Sequence, residues 1–171
     1  LTLPRTRHVS DRTAGLPLSS LSALVRAAAD EPAMWRPQLR LPTAADRWWT
    51  RLASDSRVDL WLLSWLPGHT TDLHDHGGSA AAFTVVEGLL SEDRIDGQGR
   101  RTSYERRPGS AIWLAPSVIH DVSGAGDAPT VSIHAYSPPL CAMNYYAQDE
   151  RGTPRVVRTV HTDEPEQELA R

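Results

Sequence analysis

His74-Asp75-His76 sets two imidazoles one residue apart, and His120 supplies a third further along the chain. In an extended strand alternate side chains share a face, so His74 and His76 project together while Asp75 points the other way. Two imidazoles on one strand face, joined by a third, make a divalent-metal site with open coordination positions. Ser132-Ile133-His134-Ala135-Tyr136 repeats the period, which puts Ser132, His134 and Tyr136 on one face. Burying two rows of polar groups is costly if stability is the only return. The pattern therefore reads as an active site, a metal centre with a line of hydroxyl, imidazole and phenol beside it. Gly77 and Gly78, directly after His76, let backbone approach closely and leave space beside the ligands. His8, His69 and His161 fall in an arm, a turn and a tail, and read as ordinary surface or hydrogen-bonded histidines.

Short strands must carry these groups. The predicted strands run over 58–66, 71–76, 81–87, 89–95, 102–106, 111–114, 120–123 and 130–136. Pro67-Gly68, Gly88 and Asp96-Gly97-Gln98-Gly99 mark turns between them, and Pro138-Pro139 closes the set. Ahead of the strands, 19–29 reads as a helix with serines available as N-cap and Pro32 stopping it soon after. A second short helix is expected over 44–52, capped by Thr43 and carrying Trp48, Trp49 and Arg51. Trp61, Trp65 and Trp113 read as core packing. The fold class is mainly β, a small antiparallel barrel or sandwich behind short N-terminal helices. The expected organisation is a loose arm over 1–15, one domain over 16–160 and a disordered tail over 161–171.

The chain of 171 residues is long enough for one domain with a real core, and its net charge of −3 gives no case for nucleic acid or an anionic membrane. Cys141 is the only cysteine, so no internal disulfide forms. No apolar run approaches ~18 residues, and the N-terminus lacks a basic-then-apolar leader pattern. These features suggest a soluble cytoplasmic protein, as a monomer or small homo-oligomer, with no nucleic-acid or membrane partner.

Gly68, His74-x-His76 and Gly88 resemble the first motif of the cupin superfamily, and Pro108-Gly109, Pro116 and His120 resemble the second. Cupins often add a glutamate ligand four or five residues after the second histidine, where this chain has Ala80 and Ala81. A three-histidine cupin with Ser132-x-His134-x-Tyr136-Ser137-Pro138-Pro139 resembles the cysteine dioxygenase family of thiol dioxygenases, in its bacterial arginine-type form, over roughly Trp48 to Gly152. The resemblance implies a jelly roll-like barrel holding one Fe(II) per chain on His74, His76 and His120. It implies a small thiol and O2 as reactants, with L-cysteine oxidised to cysteine sulfinate. Tyr136, His134 and Ser132 would then be catalytic, and Arg51, Trp49 and Tyr136 would hold substrate. Arg51 would take its carboxylate through a bidentate fork. Relatives that prefer 3-mercaptopropionate tend to have glutamine there, so Arg51 favours cysteine.

The chain departs from the family pattern in two places. Ala81 stands near where mammalian-type members carry a cysteine crosslinked to the tyrosine, and Trp49 replaces a common tyrosine. A cis Ser137-Pro138 bond is a further implication of the resemblance. Alternatives within reach are a dioxygenase of 3-mercaptopropionate or another small thiol carboxylate, a non-catalytic metal- or ligand-binding cupin, and a zinc or manganese cupin isomerase.

Overall fold

Alternating apolar runs separated by glycine turns fold here into two facing antiparallel sheets. The computed structural model describes residues 15–165. The expected N-terminal arm, with His8, lies almost wholly outside these residues, as does the expected tail beyond 165. The elements are α1 (Leu18–Ala29), α2 (Pro32–Trp35), a 3-10 turn (Arg36–Gln38), and strands β1 (Trp48–Ser54), β2 (Asp59–Trp65), β3 (His74–Asp75), β4 (Ala80–Glu87), β5 (Leu89–Ile95), β6 (Arg101–Arg106), β7 (Ala111–Leu114), β8 (Ile119–Ala125), β9 (Thr130–Ser137), β10 (Met143–Gln148) and β11 (Pro154–Val160). One sheet has five strands in the order β1-β2-β9-β4-β7, and the other has six in the order β11-β10-β3-β8-β5-β6.

The pleat sorts the strand residues into two cores. Trp61, Leu63 and Trp65 of β2 face inward with Ala81, Phe83 and Val85 of β4, meeting Leu90, Val122, Met143 and Tyr145 from the other sheet. Leu60 and Leu62 face outward with Ala82, Ile133 and Ala135, where Leu21, Val25 and Ala28 of α1 cover them. With both faces covered, every residue of β2 and β9 is buried. The N-cap of α1 is Pro17, which makes no side-chain capping bond, so the serines do not serve as caps.

The expected helix over 44–52 does not form. Thr43 Oγ1 accepts the Asp46 N–H at 3.2 Å, but the chain then extends into β1, with Arg51 opposite Trp61 of β2. Trp48, Trp49 and Thr50 are strand formers. The half-buried Trp48 packs against the outer, helix-side core, while its neighbour Trp49 packs against the inner one. Arg51 shares Trp49's face and reaches over the Trp61 ring, its Cζ 4.4 Å from the ring centroid. Strands β10 and β11 were not anticipated; β11 is an edge strand whose residues are almost all exposed, so burial leaves no imprint on its sequence.

Candidate metal centre

Strand pairing brings the three histidines together. His74 on β3 lies opposite His120 on β8. The His74 ring centroid is 5.1 Å from that of His76 and 4.6 Å from that of His120. One nitrogen from each ring falls within 4.8 Å of the others, and all three residues are buried. Regular pairing in β3 stops at Asp75, and the turn that follows depends on Gly77 at φ +58°, where a Cβ would lie 2.3 Å from the Ala142 carbonyl oxygen. Asp75 points away from the cluster, as the alternation predicts. Its Oδ1 accepts the Gly77 N–H at 2.8 Å and the Asn144 amide at 2.9 Å, and its Oδ2 accepts the Tyr146 hydroxyl at 2.7 Å. Burial, and then this bond to Asp75, push the Tyr146 hydroxyl up to about 12.

Two rings are oriented from behind. The Asp72 carbonyl lies 2.7 Å from His74 Nδ1, and Glu92 Oε1 lies 3.0 Å from His120 Nδ1. An Nδ1–H donated to such acceptors leaves the Nε2 lone pair for a metal and makes it more basic. Glu92 on β5 is fully buried. Its carboxylate also accepts from Arg94 Nε at 2.9 Å and Arg106 Nε at 2.8 Å. Burial alone would push Glu92 up, but the hydrogen bond and charge of His120, then those of Arg94, together hold it down at about 2. Glu92 was not among the site residues expected from sequence. The signal was its place two residues from Leu90, on the inward face of a strand.

Beside the cluster, Ser132, His134 and Tyr136 share the inner face of β9. Ser132 Oγ accepts the Trp65 indole N–H at 2.9 Å and lies 2.9 Å from His134 Nε2. Trp65 thus belongs to the core and also anchors this line. His134 stacks on Phe83 at 5.1 Å, and the Tyr136 ring lies 5.1 Å from that of His76. Ala81 sits directly opposite Tyr136, so no thioether can form there, and Cys141 is exposed. Ser137-Pro138 is cis. Trp49 packs at the edge of the interior cluster. His69 is buried in its turn and accepts the Leu66 N–H at 3.2 Å through Nδ1, apart from the cluster.

Arg51 differs from the expectation in its partners. Its Nη2 donates to the Asp163 backbone carbonyl at 2.8 Å and to Asp163 Oδ2 at 3.0 Å, and its Nε lies 4.0 Å from Asp59 Oδ1. Residues 161–165, which open the expected tail, are therefore held against the barrel, with the Thr162 N–H donating to the Cys141 carbonyl at 3.2 Å and Pro165 buried.

Two facing antiparallel sheets around three buried histidines, joined by no carboxylate among the described residues, define a cupin-fold protein with a cluster that could hold a metal ion. Solved structures share the fold. A conserved protein with a double-stranded β-helix domain from Klebsiella pneumoniae superposes with a TM-score of 0.52 at 15% identity, covering 60% of this chain and 85% of that one. A cupin superfamily protein from Desulfitobacterium hafniense gives 0.51 at 14% identity, covering 61% and 87%. The chain belongs to the cysteine dioxygenase type I family, whose model matches residues 13–149. Cysteine dioxygenase type 1 of Rattus norvegicus is 26% identical over 158 residues, spanning 85% of this chain and 77% of that protein. Membership makes this chain a dioxygenase-type oxidoreductase. Among the described residues no helix is long and apolar enough to cross a membrane.

Proposed function

We propose that this chain is an iron-dependent thiol dioxygenase that adds both atoms of O2 to the sulfur of L-cysteine, giving cysteine sulfinate. The observation that carries the reading is the cluster of His74, His76 and His120, three buried imidazoles that no carboxylate joins among the described residues. Neutral donors leave a divalent ion its full charge and one open face, which suits a thiolate and an amine arriving together. His74, His76 and His120 would hold Fe(II), which would favour the thiolate form of the substrate and offer a position for dioxygen. No outside reductant is required. Sulfur is oxidised, both oxygen atoms are reduced, and the S–H proton is lost to solvent.

The chain's own groups do the rest. Burial of all three histidines and of Tyr136 excludes bulk water from the reacting centre. Tyr136 holds a hydroxyl proton beside His76, where it can bond the developing oxyanion or the substrate carboxylate. His134, fixed by Ser132 and through it by Trp65, lies beside Tyr136 with the ring centroids 6.5 Å apart. Arg51 and Trp49 share one face of β1, and Arg51 is the cation we assign to a substrate carboxylate.

The test is oxygen consumption by iron-reconstituted protein with L-cysteine and, separately, 3-mercaptopropionate, with the product identified by mass. Cysteine sulfinate formed one-for-one with O2 consumed is the expected result. Iron-loaded protein that consumes no oxygen with either thiol would sink the proposal, and faster turnover of 3-mercaptopropionate would move it to the other thiol. Tyr136→Phe is expected to lower turnover about 100-fold while iron content stays at the wild-type level, since a positioned proton donor contributes at least that much. Loss of iron in that variant would instead assign Tyr136 to holding the site together.

A further inference from the structure

The two carboxylates beside Arg51 differ in kind. Asp59 is buried and lies opposite Tyr136 in the strand register, so it is a fixed counter-charge built into β2. Asp163 has a side chain 76% exposed and reaches Arg51 from 112 residues away along the chain. Its backbone carbonyl and its Oδ2 both take hydrogen bonds from the same Nη2. The Trp61 ring lies against the guanidinium. Arg51 lowers the Asp163 carboxyl below its usual range, so Asp163 is ionised at neutral pH.

We propose that Asp163 is a specificity-determining residue, a tethered carboxylate that occupies Arg51 and must be displaced by the carboxylate of an incoming thiol. The inference rests on the reading of Arg51 as the group that takes the substrate carboxylate. With Asp59 and Asp163 both in place, Arg51 already faces more negative charge than it carries, so a third carboxylate enters by exchange and not by addition. Asp59 cannot be the one that leaves, because moving it would break a buried strand position. Asp163 can leave, because an exposed ion pair is weakly held. Tethering nevertheless gives it an effective concentration on the order of millimolar, comparable to that of a free metabolite. A thiol without a carboxylate makes no claim on Arg51 and meets no such competition. Asp163 therefore narrows the advantage that Arg51 gives to carboxylate thiols.

Anaerobic calorimetric titration of the iron-loaded protein with L-cysteine and with cysteamine, which lacks the carboxylate, reads this directly. Asp163→Asn is expected to lower the Kd for cysteine about two- to fivefold, the range of an exposed ion pair, and to leave cysteamine unchanged. In an Arg51→Gln background the same substitution should do nothing. Asp163→Asn that tightens both thiols equally would make the segment a general cover and overturn the specificity role. An unchanged Kd for cysteine, in a protein where Arg51→Gln alone weakens cysteine, would overturn the inference and leave the reading of Arg51 standing. If Arg51→Gln alone leaves cysteine binding untouched, the reading of Arg51 fails and the inference falls with it. Asp163→Ala, together with a melting curve for each variant, guards against a folding artefact.

Discussion

His76→Ala is expected to strip the protein of metal and of oxygen uptake while leaving it folded. The donor set is three buried imidazoles, and among the described residues no carboxylate joins the cluster to substitute for a lost ligand. Removing one leaves two nitrogens, too few to hold a divalent ion against its hydration shell. Loss of a mere outer partner of a ligand costs about 10–100-fold in affinity, so loss of a ligand should exceed that range. Metal per chain, measured by atomic emission after iron loading and desalting, should fall to background. The far-ultraviolet circular dichroism should match that of the wild type, because β2, β4 and β9 are tied together without His76. Full iron content in His76→Ala would contradict the ligand assignment.

Glu92→Gln should produce the second large effect, on stability as well as on metal. Glu92 is fully buried between His120, Arg94 and Arg106. The side chains of Arg94 and Arg106 are 27% and 17% exposed, so neither can rehydrate freely once the carboxylate charge is gone. Breaking a buried charge cluster by removing one member costs about 3 kcal/mol at the lower end of such changes. For a chain of this size that corresponds to a fall of roughly 6–12 °C in Tm. The amide also loses the negative charge that makes His120 a more basic ligand, so metal affinity should drop about 10–100-fold. Scanning calorimetry of the metal-free protein isolates the first effect, and competition with a chelator of known affinity isolates the second. A variant with wild-type Tm and wild-type affinity would show that Glu92 neither supports the sheet nor tunes His120.

Much of the site could be read from sequence because its groups are spaced by the pleat. His74 and His76, and then Ser132, His134 and Tyr136, repeat at the strand period, and a period of two is local information. The run of short strands from β2 to β9 was readable for the same reason, since glycine and proline turns bound alternating apolar segments. Arg51, expected on a helix, lies instead on strand β1. A capping threonine and nearby charged residues suggest a helix, and only pairing with β2 makes 48–54 a strand. That pairing lays Arg51 over the Trp61 ring of β2, where its side chain stays 36% exposed. Trp65 was likewise read as packing alone, because no local pattern says that an indole N–H will meet Ser132 67 residues away.

The residues by themselves put His74 with His76, and Ser132 with His134 and Tyr136, on shared strand faces and indicated the mainly β fold, all through short-range periodicity. Only the tertiary structure decided what stands behind and in front of them: Glu92 beneath His120, and Asp163 upon Arg51. Both are charge pairings across long stretches of chain. Coulombic partners are chosen by proximity after the sheets close, and nothing in the spacing of a strand records which distant carboxylate will arrive.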